Sequence, residues 1–145
     1  MTVAQRLSFL TIGVTDLQLV KQFYIDHFGW TPLKFDSDGV VFFKLNGFIL
    51  SLFPLDELAK DAGIPNDAGN PGFKGMSLAY NLDSEKAVDD LVASLRAKGV
   101  RIVKAPEKVF WGGYSAYIAD VENNLWEIAY NPFMEMDEQG NVIKM

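Results

Sequence analysis

The chain of 145 residues contains no cysteine and only one histidine. Without cysteine, disulfides, thiolate metal sites and cysteine nucleophiles are all excluded. No hydrophobic run approaches the roughly 20 residues that a membrane helix needs, so we expect no membrane partner. These absences remove several common classes of redox, metal and membrane chemistry.

Basic charge is also scarce, with 13 Lys and Arg against 19 Asp and Glu and a net charge of −6. Nucleic-acid binding needs a clustered basic surface, so we predict no nucleic-acid partner. The opening MTVAQRLSFLTIGV alternates like a strand and lacks a basic region followed by an apolar one, which predicts a cytoplasmic location. With 49% hydrophobic residues, the chain has the composition of one soluble globular domain.

The first part of the chain predicts a strand, a helix and three more strands. Residues 7–14 form the first predicted strand. Thr15 and Gln18 have capping-box spacing at the start of an apolar helical stripe, and Gly29 ends it. Asn46-Gly47 is a hairpin signal between the last two strands. The three strands after the helix are predicted at about 31–35, 40–45 and 48–53.

The same order of elements recurs after residue 75. Residues 76–82 form a predicted strand, Ser84 caps a helix with an apolar stripe, and Gly99 ends that helix. The three strands that follow are predicted at about 101–104, 114–119 and 125–130.

The recurrence predicts an α+β fold of two βαβββ modules. A shift of 68 residues relates Val14 to Leu82 at the helix starts, and a shift of 76 relates Leu50 to Trp126 on the last strands. We expect the two modules to pair into one curved mixed sheet with a concave pocket. The modules are predicted at about 5–54 and 73–132, with a connection at 55–72 and a tail at 133–145.

Three stretches resemble the vicinal oxygen chelate superfamily of glyoxalase I, bleomycin-resistance proteins and extradiol dioxygenases. They are FLTIGVTDLQLVKQFYIDHFGW, the segment from Gly75 to Gly113, and GGYSAYIADVENNLWEIAYNP. The last is similar to the family's Asp-Pro-Asp-Gly-Asn turn and Glu-bearing strand, with Val121 and Glu122 replacing Pro and Asp. The resemblance implies the glyoxalase/bleomycin resistance/dioxygenase fold, a small organic ligand and a homodimer.

The resemblance also places the family's metal ligands at four positions of this chain. They are Phe9, Ser51, Ser77 and Glu127, and the shifts of 68 and 76 relate them in the same pairs. Only Glu127 carries a side chain of the usual type, whereas a catalytic metal needs about three imidazole, carboxylate or thiolate ligands. We therefore expect no metal and no other cofactor.

Glu127 stands between Trp126 and Ile128 in an apolar strand, where an unpaired carboxylate would be costly. It is either a hydrogen-bonded relic of the family site or a functional group that recognises a ligand or acts as a catalytic acid or base. The predicted lining of the binding pocket is Phe9, Ser51, Ser77, Tyr80, Trp111, Tyr114 and Glu127. Strand aromatics usually serve the core, but Trp111 precedes two glycines in a turn and suits a pocket rim.

Three further segments have two interpretations each. His27 lies at the edge of the first helix's apolar stripe, which favours packing over a ligand role. The connection at 54–72 is either a surface crossing or a mobile flap. The apolar tail docks either on its own chain or on a second subunit.

These observations favour a metal-free small-molecule-binding protein of the glyoxalase and bleomycin-resistance type. The alternative is a divalent-metal-dependent lyase, isomerase or dioxygenase that uses Glu127 as a ligand. A third hypothesis is a structural or protein-interaction module, which predicts no cavity.

Overall fold

The computed structural model describes residues 5, 8–62, 74 and 76–144, and the chain divides into two compact units. Unit 1 spans Met1–Ala68 and unit 2 spans Gly69–Met145. Each unit carries helices on a mixed sheet, which confirms the predicted α+β fold class.

Unit 1 contains a three-stranded sheet in the order β1-β3-β2. Strands β1 and β3 are parallel, and β2 and β3 form an antiparallel hairpin closed at Asn46-Gly47, as predicted. The elements are β1 Phe9–Val14, α1 Leu17–Phe23, a π-helical segment Tyr24–Phe28, β2 Val41–Lys44, β3 Ile49–Pro54 and α2 Leu55–Ala62.

The residue that caps helix α1 is Asp16, one position after the predicted cap Thr15. The carboxylate of Asp16, not the hydroxyl of Thr15, accepts the Leu19 N–H at 3.0 Å. The π-helical segment ends at Gly29, which has the left-handed φ of 71° that glycine adopts at little cost. The His27 ring lies 4.9 Å from the Phe23 ring, which confirms its predicted packing role.

Two predictions for unit 1 were wrong. Residues 31–35 form no strand, although the Leu33 N–H donates to the Phe42 carbonyl at 2.8 Å. The connection begins with helix α2, where no helix was expected, and the Leu55 side chain lies against Gly13 of β1. The rest of the connection, at 63–72, lies outside the described residues.

Unit 2 contains a four-stranded sheet in the order β4-β7-β6-β5 and a separate hairpin of β8 and β9. Strands β4 and β7 are parallel, and the other neighbouring strands are antiparallel. The elements are β4 Ser77–Leu82, α3 Glu85–Ala97, β5 Arg101–Lys108, β6 Tyr114–Ala119, β7 Leu125–Tyr130, β8 Glu135–Met136 and β9 Val142–Lys144.

Helix α3 covers one face of the unit 2 sheet. Ser84 caps it by accepting the Ala87 N–H at 3.0 Å, and Gly99 follows its end with a φ of 85°, both as predicted. Burial of one aliphatic side chain contributes roughly 1.5–3 kcal/mol, so this interface anchors the sheet. The buried side chains are Val88, Val92 and Leu95 on the helix and Ala116, Ile118, Trp126 and Ile128 on the strands.

The parallel strand pairs have equivalent registers in the two units. Thr11 pairs with Ser51 in unit 1, and Ala79 pairs with Glu127 in unit 2. These pairs differ by 68 residues on the first strand and 76 on the last, which confirms the repeat read from the sequence. Glu127 therefore occupies the position that Ser51 holds in unit 1.

Candidate functional site

The face of the unit 2 sheet opposite α3 carries the polar groups. Residues paired in register on neighbouring strands project to the same face, so the side chains form rows across the sheet. The rows are Ser77, Leu125, Ala119 and Arg101; Ala79, Glu127, Tyr117 and Lys104; and Asn81, Ala129, Ser115 and Glu107.

Glu127 is hydrogen-bonded to its neighbour in the middle row. The Tyr117 hydroxyl donates to Oε2 of Glu127 at 2.8 Å, and both residues are half-buried. This hydrogen bond raises the pKa of Tyr117, with burial and the Glu127 charge acting in the same direction. Tyr117 therefore stays a protonated donor well above neutral pH.

An ion pair lies beside this hydrogen bond. Lys104 Nζ lies 2.7 Å from Glu107 Oε1, although residues three apart on a regular strand face opposite sides. The β5–β6 register shifts between Lys104 and Glu107, which brings both residues to the Glu127 face. Pro106 lies in this irregular stretch, where its missing N–H is tolerated.

Trp111 lies in the tight turn that joins β5 to β6. The turn is closed by hydrogen bonds between Val109 and Gly113 and between Gly112 and Val109, each 3.0 Å. A Cβ on Gly113 would lie only 2.0 Å from two atoms of the Trp111 ring, so the indole lies directly over this glycine. Only a residue without a side chain permits that ring position.

These groups line one cavity of about 310 Å³, here called the Glu127 cavity. Its polar and aromatic groups come from β5, the following turn, β6 and β7. The lining residues are Lys104, Glu107, Lys108, Val109, Phe110, Trp111, Ser115, Tyr117 and Glu127. Two lysines and two glutamates balance, so the formal charge of the lining is neutral.

Two of the predicted pocket residues lie away from Glu127. Tyr114 is in register with Tyr130 on the α3 face, and its hydroxyl donates to Asp89 of α3 at 2.6 Å. That hydrogen bond raises the pKa of Tyr114 to about 12. Tyr80 is in register with the buried Ile128 on the same face. The prediction that both rings share a surface with Glu127 is corrected, because they stand at the alternate positions of their strands.

Tyr80 instead lines a second cavity of about 650 Å³ between the ends of β4 and β7 and the β8–β9 hairpin. Asp137 also lines it, but its carboxylate accepts three hydrogen bonds, from Asn141 N–H, the Asn141 amide and Gln139 N–H. These bonds hold the turn and lower the pKa of Asp137. This cavity is larger than the Glu127 cavity, and the carboxylates that line it are Asp83, Asp137 and Glu138, of which Asp137 holds the hairpin turn.

The remaining predicted residues are Phe9 and Ser51 of unit 1 and Ser77 of unit 2. Phe9 is 49% exposed, and its ring makes an edge contact with the Phe42 ring at 6.0 Å. Ser51 is buried and its hydroxyl accepts a hydrogen bond from Thr11 at 3.3 Å. Ser77 is exposed at the start of β4, in register with Leu125.

The side chains at the four family metal positions do not fit a transition metal. Phe9 has no lone pair to donate, and the two serines offer neutral hydroxyls, which leaves Glu127 as the only preferred ligand. Across the ranges 8–62 and 76–144, no three His, Cys, Asp or Glu residues are grouped closely enough to hold a metal ion. The residues in register with Glu127 are Ala79, which carries only a methyl group, and Tyr117, which carries a phenol.

The family model described as the Glyoxalase/Bleomycin resistance protein/Dioxygenase superfamily matches residues 6–128. The chain belongs to this superfamily. The recognised stretches and the fold predicted from them are thereby confirmed. Membership fixes the architecture, whereas members of one fold differ in their chemistry.

Solved structures of the superfamily are similar over nearly the whole chain. A glyoxalase-related enzyme from Fulvimarina pelagi is 31% identical, covers 97% of this chain and 98% of its own, and has a TM-score of 0.83. A family protein from Nocardioides is 25% identical over 89% of this chain and 85% of its own, with a TM-score of 0.78. A lactoylglutathione lyase from Agrobacterium tumefaciens, at 24% identity, 90% and 96% coverage and a TM-score of 0.68, shares the fold. No curated protein matches.

Sequence reasoning missed several polar neighbours of Glu127. Tyr117, Lys104, Glu107 and Ser115 are not among the predicted pocket residues. The sequence signal for Tyr117 was its odd spacing from Tyr114, which puts the two phenols on opposite faces.

No helix within the described ranges has the length and apolar character of a membrane span.

Proposed function

We propose that this protein binds a small organic molecule in the Glu127 cavity and does so without a transition metal. The observation that carries the proposal is one cavity that combines the Trp111 indole with the hydrogen-bonded pair of Tyr117 and Glu127. Its volume of about 310 Å³ is at the lower end of small-molecule pockets.

The groups of this cavity have separate roles in the proposal. Trp111, 36% exposed, offers an aromatic face for contact with an apolar or planar ligand. Glu127 orients the ligand by accepting hydrogen bonds, and Tyr117 holds the carboxylate in place. Lys104 is neutralised by Glu107, so Glu127 supplies the polar contact.

Metal independence rests on the donor groups at the family's metal positions. Phe9, Ser51 and Ser77 cannot replace imidazole or carboxylate ligands, and Glu127 already accepts a hydrogen bond from Tyr117. A catalytic role of Glu127 stays a prediction. It requires that the Glu127→Gln variant loses turnover of a bound molecule while it still binds that molecule.

The proposal is tested by an NMR screen of a fragment library against ¹⁵N-labelled protein treated with EDTA. The chain has three tryptophans, so the indole N–H signals are few and the Trp111→Phe variant assigns one of them. We expect hits that shift the Trp111 indole and leave buried Trp126 unmoved, because Trp126 lies under α3. The proposal is wrong if no fragment shifts the Trp111 signal, or if shifts occur only after a divalent metal is added.

Two further predictions are part of the proposal. Homodimerisation is checked by light scattering of the purified protein, and a cytoplasmic location by fractionation of cells. A monomer in solution would contradict the first, and recovery of the protein outside the cytoplasm would contradict the second.

A further inference from the structure

We propose that the ligand of the Glu127 cavity carries a planar amidinium or guanidinium group, whose adjacent N–H bonds face the Glu127 carboxylate. This inference rests on the proposed function and specifies the ligand class. It follows from the arrangement of acceptors, the local charge and the aromatic surface of the cavity.

The pair formed by Tyr117 and Glu127 offers acceptors to a ligand. An ionised carboxylate accepts at about four lone-pair sites, and the Tyr117 hydroxyl occupies one of them on Oε2. The Tyr117 hydroxyl uses its proton for the carboxylate, so its oxygen keeps lone pairs that can accept a hydrogen bond. Adjacent acceptors of this kind match a ligand group with two adjacent N–H donors, which can bind the carboxylate in a bidentate manner.

The cavity lining is formally neutral, but the Glu127 carboxylate itself is available to a cationic ligand. The ion pairs Lys86–Asp90 and Lys104–Glu107 do not involve Glu127. Lys108 also lines the cavity, but it is in register with Tyr114 on the α3 side of the sheet. A half-buried carboxylate without a cationic partner among the described residues gains most from a ligand that brings one.

The aromatic wall of the cavity favours a flat cation. The Trp111 indole lies over Gly113 and stays partly exposed, so its face is accessible to a ligand. A delocalised planar cation gains from contact with such a face through the cation–π interaction. A compact ammonium can pair with Glu127 but presents no flat surface to the indole.

The test compares benzamidine with benzamide, which has nearly the same shape but is neutral and replaces one donor by an acceptor. Binding is measured by calorimetry, and the site is identified by the Trp111 indole signal. We expect benzamidine to bind at least tenfold more tightly than benzamide. Glu127→Gln should weaken benzamidine binding roughly 10- to 100-fold, as expected for loss of charge-assisted hydrogen bonds.

Two matched variants control for general effects. Glu138→Gln removes the same charge on the β8–β9 turn, outside the Glu127 cavity, and should leave benzamidine affinity unchanged. Tyr117→Phe should weaken binding, whereas Tyr114→Phe removes the same hydroxyl on the other face of β6 and should not. Melting temperatures of all four variants show whether a loss of binding reflects a loss of fold.

The outcomes separate this inference from the proposed function. If library fragments shift the Trp111 signal but benzamidine binds no better than benzamide, the inference is wrong and the proposed function stands. If benzamidine binding is unaffected by Glu127→Gln, the inference is again wrong, because the cation is held elsewhere. If neither benzamidine nor any fragment shifts Trp111, both proposals fail.

Discussion

Replacing Gly113 by alanine perturbs the one glycine over which the Trp111 indole lies. An added Cβ would be 2.0 Å from Cη2 and Cζ3 of the ring, whereas ordinary contact begins near 3.4 Å, so the ring must move by about 1.4 Å. The ring is the end of a partly exposed side chain, so it can swing toward solvent without a backbone change.

The expected effect on stability is small and the effect on binding is larger. Gly113 lies outside the left-handed region, so alanine is tolerated there and reduces unfolded-state entropy, a gain of about 0.4–1 kcal/mol. That gain offsets part of the lost packing of Trp111. The displaced ring loses an aromatic contact of about 0.5–1.5 kcal/mol, so ligands of the Glu127 cavity should bind roughly 2- to 12-fold more weakly.

The assay follows the indole N–H signals of the three tryptophans by NMR and measures the affinity of a fragment hit. In Gly113→Ala, the Trp111 signal should shift, while those of Trp30 and Trp126 should not. Gly39→Ala is the matched control, because the nearest atom to its added Cβ is the Ser37 hydroxyl at 3.3 Å. An unchanged Trp111 signal with unchanged affinity in Gly113→Ala would refute the reasoning.

Asp120→Ala should lower the free energy of unfolding in urea by about 3 kcal/mol, because the buried carboxylate accepts hydrogen bonds from the backbone and side chain of Asn124. Asp137→Ala, in the corresponding turn of the β8–β9 hairpin, should lower it by less. Equal losses in the two variants would contradict this prediction. The raised pKa of Tyr114, about 12, means that its hydrogen bond to Asp89 stabilises the fold fully below pH 10 and is lost as pH rises toward 12. A phenolate absorbance titration checks it, and Tyr114→Phe should remove a step near pH 12. The lowered pKa of Asp137 means that its contribution is full above the unfolded value of 3.8 and is lost as pH falls below it. The protection factors of the hairpin amides, which compare each exchange rate with the intrinsic rate at the same pH, should therefore fall at acid pH, and Asp137→Asn should abolish that dependence.

The repeat could be predicted from sequence because the first strands of the two units and their last paired strands keep constant offsets along the chain. The shifts of 68 and 76 reproduce the pairing of Thr11 with Ser51 and of Ala79 with Glu127. The strand expected at 31–35 failed because the segment meets β2 through an isolated backbone hydrogen bond at Leu33 and a ring contact between Phe35 and Phe42, not through a ladder of backbone bonds. Helix α2 was missed although its sequence carries local helix signals, namely an amphipathic pattern at helical spacing and the acidic residues Asp56 and Glu57 in its first turn.

The site could be predicted only in part. Glu127 and Trp111 were found because a carboxylate in an apolar strand and a tryptophan before two glycines are local anomalies. Lys104 and Glu107 depend on the irregular register of β5, which the sequence marks only by Pro106. Tyr117 depends on the register between β6 and β7, which the geometry of their turn sets.

The central claim, organic-ligand binding at Glu127 without a metal, is tested most directly by one titration. The affinity of a fragment hit is measured from the Trp111 indole signal, once with excess EDTA and once with one equivalent of Zn²⁺. We predict the same affinity in both titrations. The fragment should shift the Trp111 indole signal in each of them. Binding that disappears in EDTA and returns with Zn²⁺ in the wild-type protein, but not in Glu127→Gln, would contradict the claim.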